Sequence, residues 1–127
     1  MIHVDTYTLK KYNHQKYNAS LFMLLTIIET PIFEKMWPKY WTEEEREAFD
    51  IFIAANPEEG AVIPKANGLR KVRWSMKEKG KSGGVRVIYY NQVAKGQISL
   101  LIMHSKSEEA VIKPADLIKI SKLMNLM

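Results

Sequence analysis

The chain has 127 residues, 46% hydrophobic and 26% charged, which fits one globular domain with a modest core and argues against wholesale disorder. A net charge of +5 and a pI near 9.4 call for an acidic partner: RNA, DNA or an acidic protein. Cysteine is absent, which excludes a disulfide framework and thiolate metal sites and fits a reducing, cytoplasmic setting.

Residues 1–20 are polar, rich in Tyr, Asn, Lys and His, and show no periodicity, so they read as a weakly ordered arm. Residues 1–22 are taken as an extension, with Met23 as the initiator, and 23–127 as the single domain. The apolar run Leu21–Ile28 follows Lys10, Lys11 and Lys16, as a signal-peptide core would. It has no small-x-small cleavage site, and Glu29 and Pro31 follow at once, so a buried strand explains it better. No apolar stretch reaches the roughly 20 residues that a membrane-spanning helix needs.

The first strand is expected over Leu24–Phe33, bent near Pro31. Met36–Trp41 reads as an aromatic connector. Thr42 and Glu45 form a T-x-x-E capping box that opens a helix over Glu43–Ala55, with Ala48, Phe49, Phe52 and Ile53 as its apolar face. Asn56-Pro57 ends that helix, and Glu58-Glu59-Gly60 is a turn. Short strands follow at Ala61–Ile63, Leu69–Ser75, Val85–Asn91 and Gln97–His104, joined by Gly-containing links that imply antiparallel hairpins. Pro114 fits the first turn of a last helix, with Leu117, Ile120, Met124 and Met127 at helical spacing. The pattern is α+β: a small twisted antiparallel sheet with flanking helices.

The functional signal lies in Lys65–Tyr90. Between Lys65 and Arg86 stand eight basic residues (Lys65, Arg70, Lys71, Arg73, Lys77, Lys79, Lys81, Arg86) against one acid, Glu78, a net +7 over 22 residues. Alternation places Lys71 and Arg73 on one face of their strand, with Arg70, Val72 and Trp74 on the other. Arg86 opens the neighbouring strand. Cations brought so close repel one another unless an anion joins them; the plainer reading is a solvated basic face. Gly80-Lys81-Ser82-Gly83-Gly84 is not a Walker A motif, because Ser75 stands where its first glycine belongs and a strand follows where a helix should. Its amides can still meet a phosphate, or it is simply a hairpin tip. Tyr90 shares the phase of Arg86 and is a candidate for base stacking. His3, His14 and His104 lack metal-ligand spacing; His104 ends an apolar strand and reads as either a core histidine or a catalytic one. The acids gather in Glu43–Glu59, opposed there only by Arg46, and read as a solvated face. Lys106 lies just past the last strand, within reach of the anion site if that strand neighbours Val85–Asn91.

From about Thr26 to Leu123 the chain resembles the RelE/HigB toxins of bacterial type II toxin–antitoxin systems. The resemblance rests on ordered pieces: Glu29-Thr30-Pro31-Ile32-Phe33, Glu44-Glu45-Arg46, Asn56-Pro57-Glu58-Glu59-Gly60, Gly68-Leu69-Arg70-Lys71-Val72-Arg73-Trp74, Gly80 through Tyr90, and Lys106. Each is weak alone; their order and spacing are specific. Many members carry a Gly-rich turn before the Arg-Lys strand, where this chain has Lys65-Ala66-Asn67-Gly68, so an altered loop is expected there.

The resemblance implies the RelE-like microbial RNase fold and a ribosome-dependent endonuclease that cuts mRNA in the A site. The nucleophile is then the RNA's own 2′-hydroxyl, and no metal or other cofactor is required. Such chemistry needs a base, cations for the transition state and an acid for the leaving 5′-oxygen. By position, Lys71 is base or clamp, Arg73 and Arg86 are phosphate clamps, and Lys106 is acid or a further clamp. Arg70, Lys77, Lys79, Lys81 and Tyr90 are assigned to RNA binding. The implied partners are a cognate antitoxin, the ribosome and its mRNA, and operator DNA indirectly through the antitoxin complex; no membrane is involved. The alternatives are a non-catalytic basic RNA- or DNA-binding module, and a domain whose basic face meets an acidic protein.

Overall fold

The structure is a computed structural model that describes residues 3–5, 25–74 and 84–127, with side chains described for 25–74, 84–108 and 112–127. Among the described residues six strands form one sheet: β1 (His3–Asp5), β2 (Thr26–Glu29), β3 (Ala61–Val62), β4 (Leu69–Trp74), β5 (Val85–Gln92) and β6 (Gln97–Ser105). Their order is β1-β2-β6-β5-β4-β3. All neighbours are antiparallel except β2 and β6, which run parallel with Ile27 opposite Ile98. The sheet is therefore mixed, whereas the sequence reading expected it to be antiparallel throughout. The short glycine links describe only hairpins; β2 reaches β6 by a long crossover, which carries no local turn signal. β1 comes from the stretch read as a loose arm and pairs with β2.

The first strand is shorter than expected, four residues rather than the ten of Leu24–Phe33. β2 ends at Glu29, and helix α1 (Pro31–Met36) begins where the strand was predicted to continue. The cause is local. Pro31 has no N–H to give a ladder and fits the first helical turn, while the Thr30 hydroxyl accepts from the Phe33 N–H at 3.0 Å. The same hydroxyl donates to the Leu101 carbonyl at 2.8 Å. Leu101 is the residue left over where β5 and β6 slip register: Ile88 faces Ile102, but Tyr89 faces Leu100. A 3₁₀ turn (Trp37–Lys39) then leads to α2 (Glu43–Ala55), whose boundaries and capping box are as the sequence indicates. The Thr42 N–H donates to Glu45 Oε1 at 2.8 Å, and the Glu45 N–H to Thr42 Oγ1 at 3.1 Å. The last helix is α3 (Pro114–Leu123).

α2 and α3 cover opposite faces of the sheet. Ile27, Val72, Val85, Val87, Tyr89, Ile98, Leu100 and Met103 pack with Phe49 and Ile53 of α2. Leu69, Ile88, Leu101 and Ile102 pack with Leu117 of α3 and with Leu126. The buried face of α2 is rotated from the expected one: Ala54 is buried and Ala48 exposed. At the C-terminus Leu126 is buried, while Met127, expected on the helix face, lies beyond the helix and is exposed.

The acidic helix is not wholly a solvated face. Asp50 is buried, and Arg46 turns inward to a bidentate pair with Glu29, at 2.8 and 2.9 Å. Arg46 also lies 4.6 Å from the Trp37 ring centroid and meets Glu43 at 3.1 Å. Burial alone would lower its pKa, but the Glu29 bond and the charges of Glu29, Asp50 and Glu43 outweigh it, so the guanidinium is held above its ordinary value. Tyr89 fixes the Asn56–Gly60 turn to the sheet. Its buried hydroxyl donates to the Pro57 carbonyl at 2.8 Å and accepts from the Gly60 N–H at 2.9 Å. Burial raises its pKa, so it stays a donor. In the β3–β4 loop, Gly68 has φ 93° and Asn67 φ 54°, the left-handed region that glycine and asparagine adopt most readily. No helix among the described residues is long and apolar enough to cross a membrane.

Two substitutions test this packing in urea unfolding. Glu29→Gln leaves the half-buried Arg46 beside a neutral partner and should cost about 3–5 kcal/mol. Gly60→Ala places a Cβ 2.8 Å from Tyr89 Cε1 and 2.9 Å from the Lys71 carbonyl oxygen, and should cost about 1–3 kcal/mol.

Candidate functional site

The strand register assembles the basic residues. Arg73 on β4 faces Arg86 on β5, and Arg86 faces His104 on β6. Directly paired residues share a face, so the three form one row across three strands, spanning about 10 Å from end strand to end strand. In the next row Lys71 faces Ile88, which faces Ile102. Ile88 and Ile102 belong to the core under α3, so the Arg73–Arg86–His104 row lies on that face, just beyond its apolar part. Lys71 and Arg73 share it as alternation required, about 7 Å apart along the strand.

The environments of these residues are graded. Arg73 is exposed, Lys71 half-buried, Arg86 8% exposed and His104 2% exposed. Lys71 and Arg86 both have interaction partners within the fold. Two arginines directly opposite one another still repel, by about 0.2–1 kcal/mol for an ordinary cross-strand pair. An anion on this face removes that cost and gains charge-assisted hydrogen bonds.

His104 was the residue that sequence reasoning left open between core and catalysis, and the register puts it in the row. One ring nitrogen, Nδ1, donates to the Ser105 carbonyl at 2.8 Å, since a carbonyl can only accept. The other, Nε2, is buried and among the described residues has no hydrogen-bond partner. An unpartnered buried polar atom costs about 1–3 kcal/mol. Trp41 Nε1 shares that property but lies between the rings of Phe33 and Phe49, away from any cation row.

Lys106 begins a 3₁₀ turn (Lys106–Val111) directly after β6 and is exposed. Because β6 does neighbour β5, with Ser105 opposite Val85, Lys106 stands at the Arg86 end of the sheet. Glu108 ties this turn down. Its Oε1 accepts from the Ser105 N–H at 2.7 Å, the Ser105 hydroxyl at 3.0 Å and the Tyr40 hydroxyl at 2.8 Å. The Ser105 N–H, the Tyr40 hydroxyl and the Ser105 hydroxyl together hold the Glu108 carboxyl below its ordinary value. Partial burial, then the bond to Glu108 and its charge, push Tyr40 up to about 12.

The remaining candidates divide. Arg70 points to the α2 side and does not join the row. Its Nη1 donates to the Gly60 carbonyl at 2.7 Å and the Glu58 carbonyl at 3.3 Å, which serves the turn that Tyr89 also holds. Asn91 adds a bond from Nδ2 to the Pro57 carbonyl at 2.9 Å. Tyr90 is on the row's face, but four residues from Arg86 along β5, about 13 Å away. It lines an open cavity of about 400 Å³ with Asn67, Gly68 and Arg70. Lys77, Lys79 and Lys81, with the Gly80–Gly83 part of the loop, lie outside the described residues. Among the described residues no three His, Asp or Glu side chains are grouped to hold a metal ion.

Two measurements follow. Arg73→Ala should leave the protein as stable or up to about 1 kcal/mol more stable at low salt, the gain fading as salt rises, because it relieves a like-charge pair. Glu108 has a folded pKa below its unfolded one, so its contribution is present above the ordinary carboxylate value and lost as pH falls through the lower folded value. Glu108→Gln should therefore flatten the acid limb of a stability–pH curve below about pH 4.5. No family model matches the chain.

Proposed function

We propose that this protein is the toxin component of a toxin–antitoxin system, an endoribonuclease that cuts mRNA in the ribosomal A site by attack of the 2′-hydroxyl on the adjacent phosphate. One observation supports the reading above all: Lys71, Arg73 and Arg86 come from two strands to one face, with Lys106 at the same end of the sheet. The resemblance of the ordered sequence pieces to RelE/HigB toxins supplies the reaction, and the mixed sheet between two helices is consistent with it.

In this reading Arg73 and Arg86 hold the scissile phosphate and stabilise the charge that builds on its oxygens. Lys71, about 7 Å along the strand from Arg73, clamps the same phosphate or serves as base. Lys106 protonates the leaving 5′-oxygen or acts as a further clamp. The partners are the ribosome with its mRNA and a cognate antitoxin that covers the basic face, and the pair reaches operator DNA through the antitoxin. The setting is cytoplasmic.

Induction of the full chain in bacteria lacking the antitoxin should arrest growth and produce new 5′ ends inside translated messages. Arg86→Ala should lower cleavage by about 10²–10³-fold, the loss expected when one preorganised transition-state donor is removed. A soluble, folded wild-type chain that binds RNA with a steep salt dependence but cuts nothing is the non-catalytic module instead.

A further inference from the structure

We infer that Glu108 is the positioning residue for Lys106: through Ser105 and the Tyr40 hydroxyl it fixes the turn that carries this lysine at the Arg86 end of the sheet. The inference rests on the nuclease reading, in which Lys106 is acid or clamp, and adds the group that sets where that lysine stands. Three observations carry it. Glu108 Oε1 gathers three donors, the Ser105 N–H at 2.7 Å, the Ser105 hydroxyl at 3.0 Å and the Tyr40 hydroxyl at 2.8 Å. The Ser105 hydroxyl also lies 3.0 Å from that of Ser107, so both chain neighbours of Lys106 are tied into the network. Lys106 itself is exposed and makes no hydrogen bond or ion pair among the described residues.

A lysine ammonium rides on a long flexible stem, so its place depends on the backbone beneath it. Here that backbone is a 3₁₀ turn, whose own hydrogen bonds have poor geometry. Glu108 supplies what the turn lacks. Ser105, directly before the turn, and Glu108, three residues on, have the S-x-x-E spacing of a capping box, and the bond from the Ser105 N–H is its reciprocal half. The donors are rooted in the core from two sides. Ser105 ends β6 next to the buried His104. Tyr40 precedes Trp41, which is buried against the rings of Phe33 and Phe49. The same donors keep the carboxyl ionised, so the bonds are charge-assisted and stronger than neutral ones. A carboxylate near a phosphate site opposes the phosphate by its charge. Its value at this end of the sheet therefore lies in what its oxygen holds.

The test uses the full chain and ribosomes programmed with a short mRNA, in single-turnover cleavage. Glu108→Ala should cut about 10- to 10²-fold more slowly at saturation, the cost of a misplaced group, with the half-saturating ribosome concentration changed less than about threefold. Tyr40→Phe removes one of the three donors and should cut about 2- to 10-fold more slowly, the value of one hydrogen bond. Glu108→Gln keeps an acceptor oxygen and should stay within about threefold of wild type. The deciding arm is a double-mutant cycle. Lys106→Ala should itself be at least about 10²-fold slow, and adding Glu108→Ala to it should cost no more than about twofold, because the group being positioned is gone. Wild-type rates from Glu108→Ala or from Lys106→Ala overturn the inference and leave the nuclease standing. So does an equal loss from Glu108→Ala in both backgrounds, which marks a general structural role, or a Glu108→Gln as slow as Glu108→Ala. Failure of wild type to cut the mRNA overturns both.

Discussion

The register of β5 against its two neighbours is the constraint on which the molecule turns. β5 is sandwiched between β4 and β6, and its residues alternate between Val85, Val87 and Tyr89 on the α2 face and Arg86, Ile88 and Tyr90 on the α3 face. A slip of one residue would send every side chain to the opposite face. It would bury Arg86 under α2, take the Tyr89 hydroxyl from the Asn56–Gly60 turn and dissolve the Arg73–Arg86–His104 row. Apolar burial on both faces thus defends the register, and the register in turn places the charges. The one permitted irregularity, the bulge at Leu101, is used: its carbonyl anchors Thr30, and Thr30 opens α1.

The two faces handle charge differently. On the α2 side several polar groups are paired: Glu29 meets Arg46, Arg70 meets two carbonyls, and the Tyr89 hydroxyl both donates and accepts. These groups hold a long crossover and a turn against the sheet. On the α3 side two arginines, Arg73 and Arg86, stand directly opposite one another, with His104 next in line. Like charges directly opposite one another on a sheet add nothing to stability by themselves, and an anion between them would offset their repulsion.

Much of this was legible in the residues. The capping box predicted the start of α2, Asn56-Pro57 its end, and Pro114 the start of α3, because caps and prolines act over three or four residues. Alternation correctly sorted Lys71 and Arg73 from Arg70, since side-chain direction in a strand has a period of two. The start of α1 was legible too, in Thr30-Pro31, but a run of Ile and Leu suggested a longer strand. The parallel partnership of β2 with β6 was not, because a crossover leaves no signature at either strand. Nor was the turning inward of Arg46: a lone arginine among seven acids looks solvated until the fold brings Glu29 beneath it.

By itself the sequence determined the number and type of most elements, the density of positive charge between Lys65 and Arg86, and which side chains of each strand share a face. Those properties follow from short-range sterics and from counting. Only the tertiary structure decided which strands are neighbours, and hence that His104 stands in line with Arg86 and Arg73 while Tyr90 lies two rows away and Arg70 on the other side. Pairing between strands is a long-range choice, settled by which apolar faces can be buried together, and no local pattern encodes it.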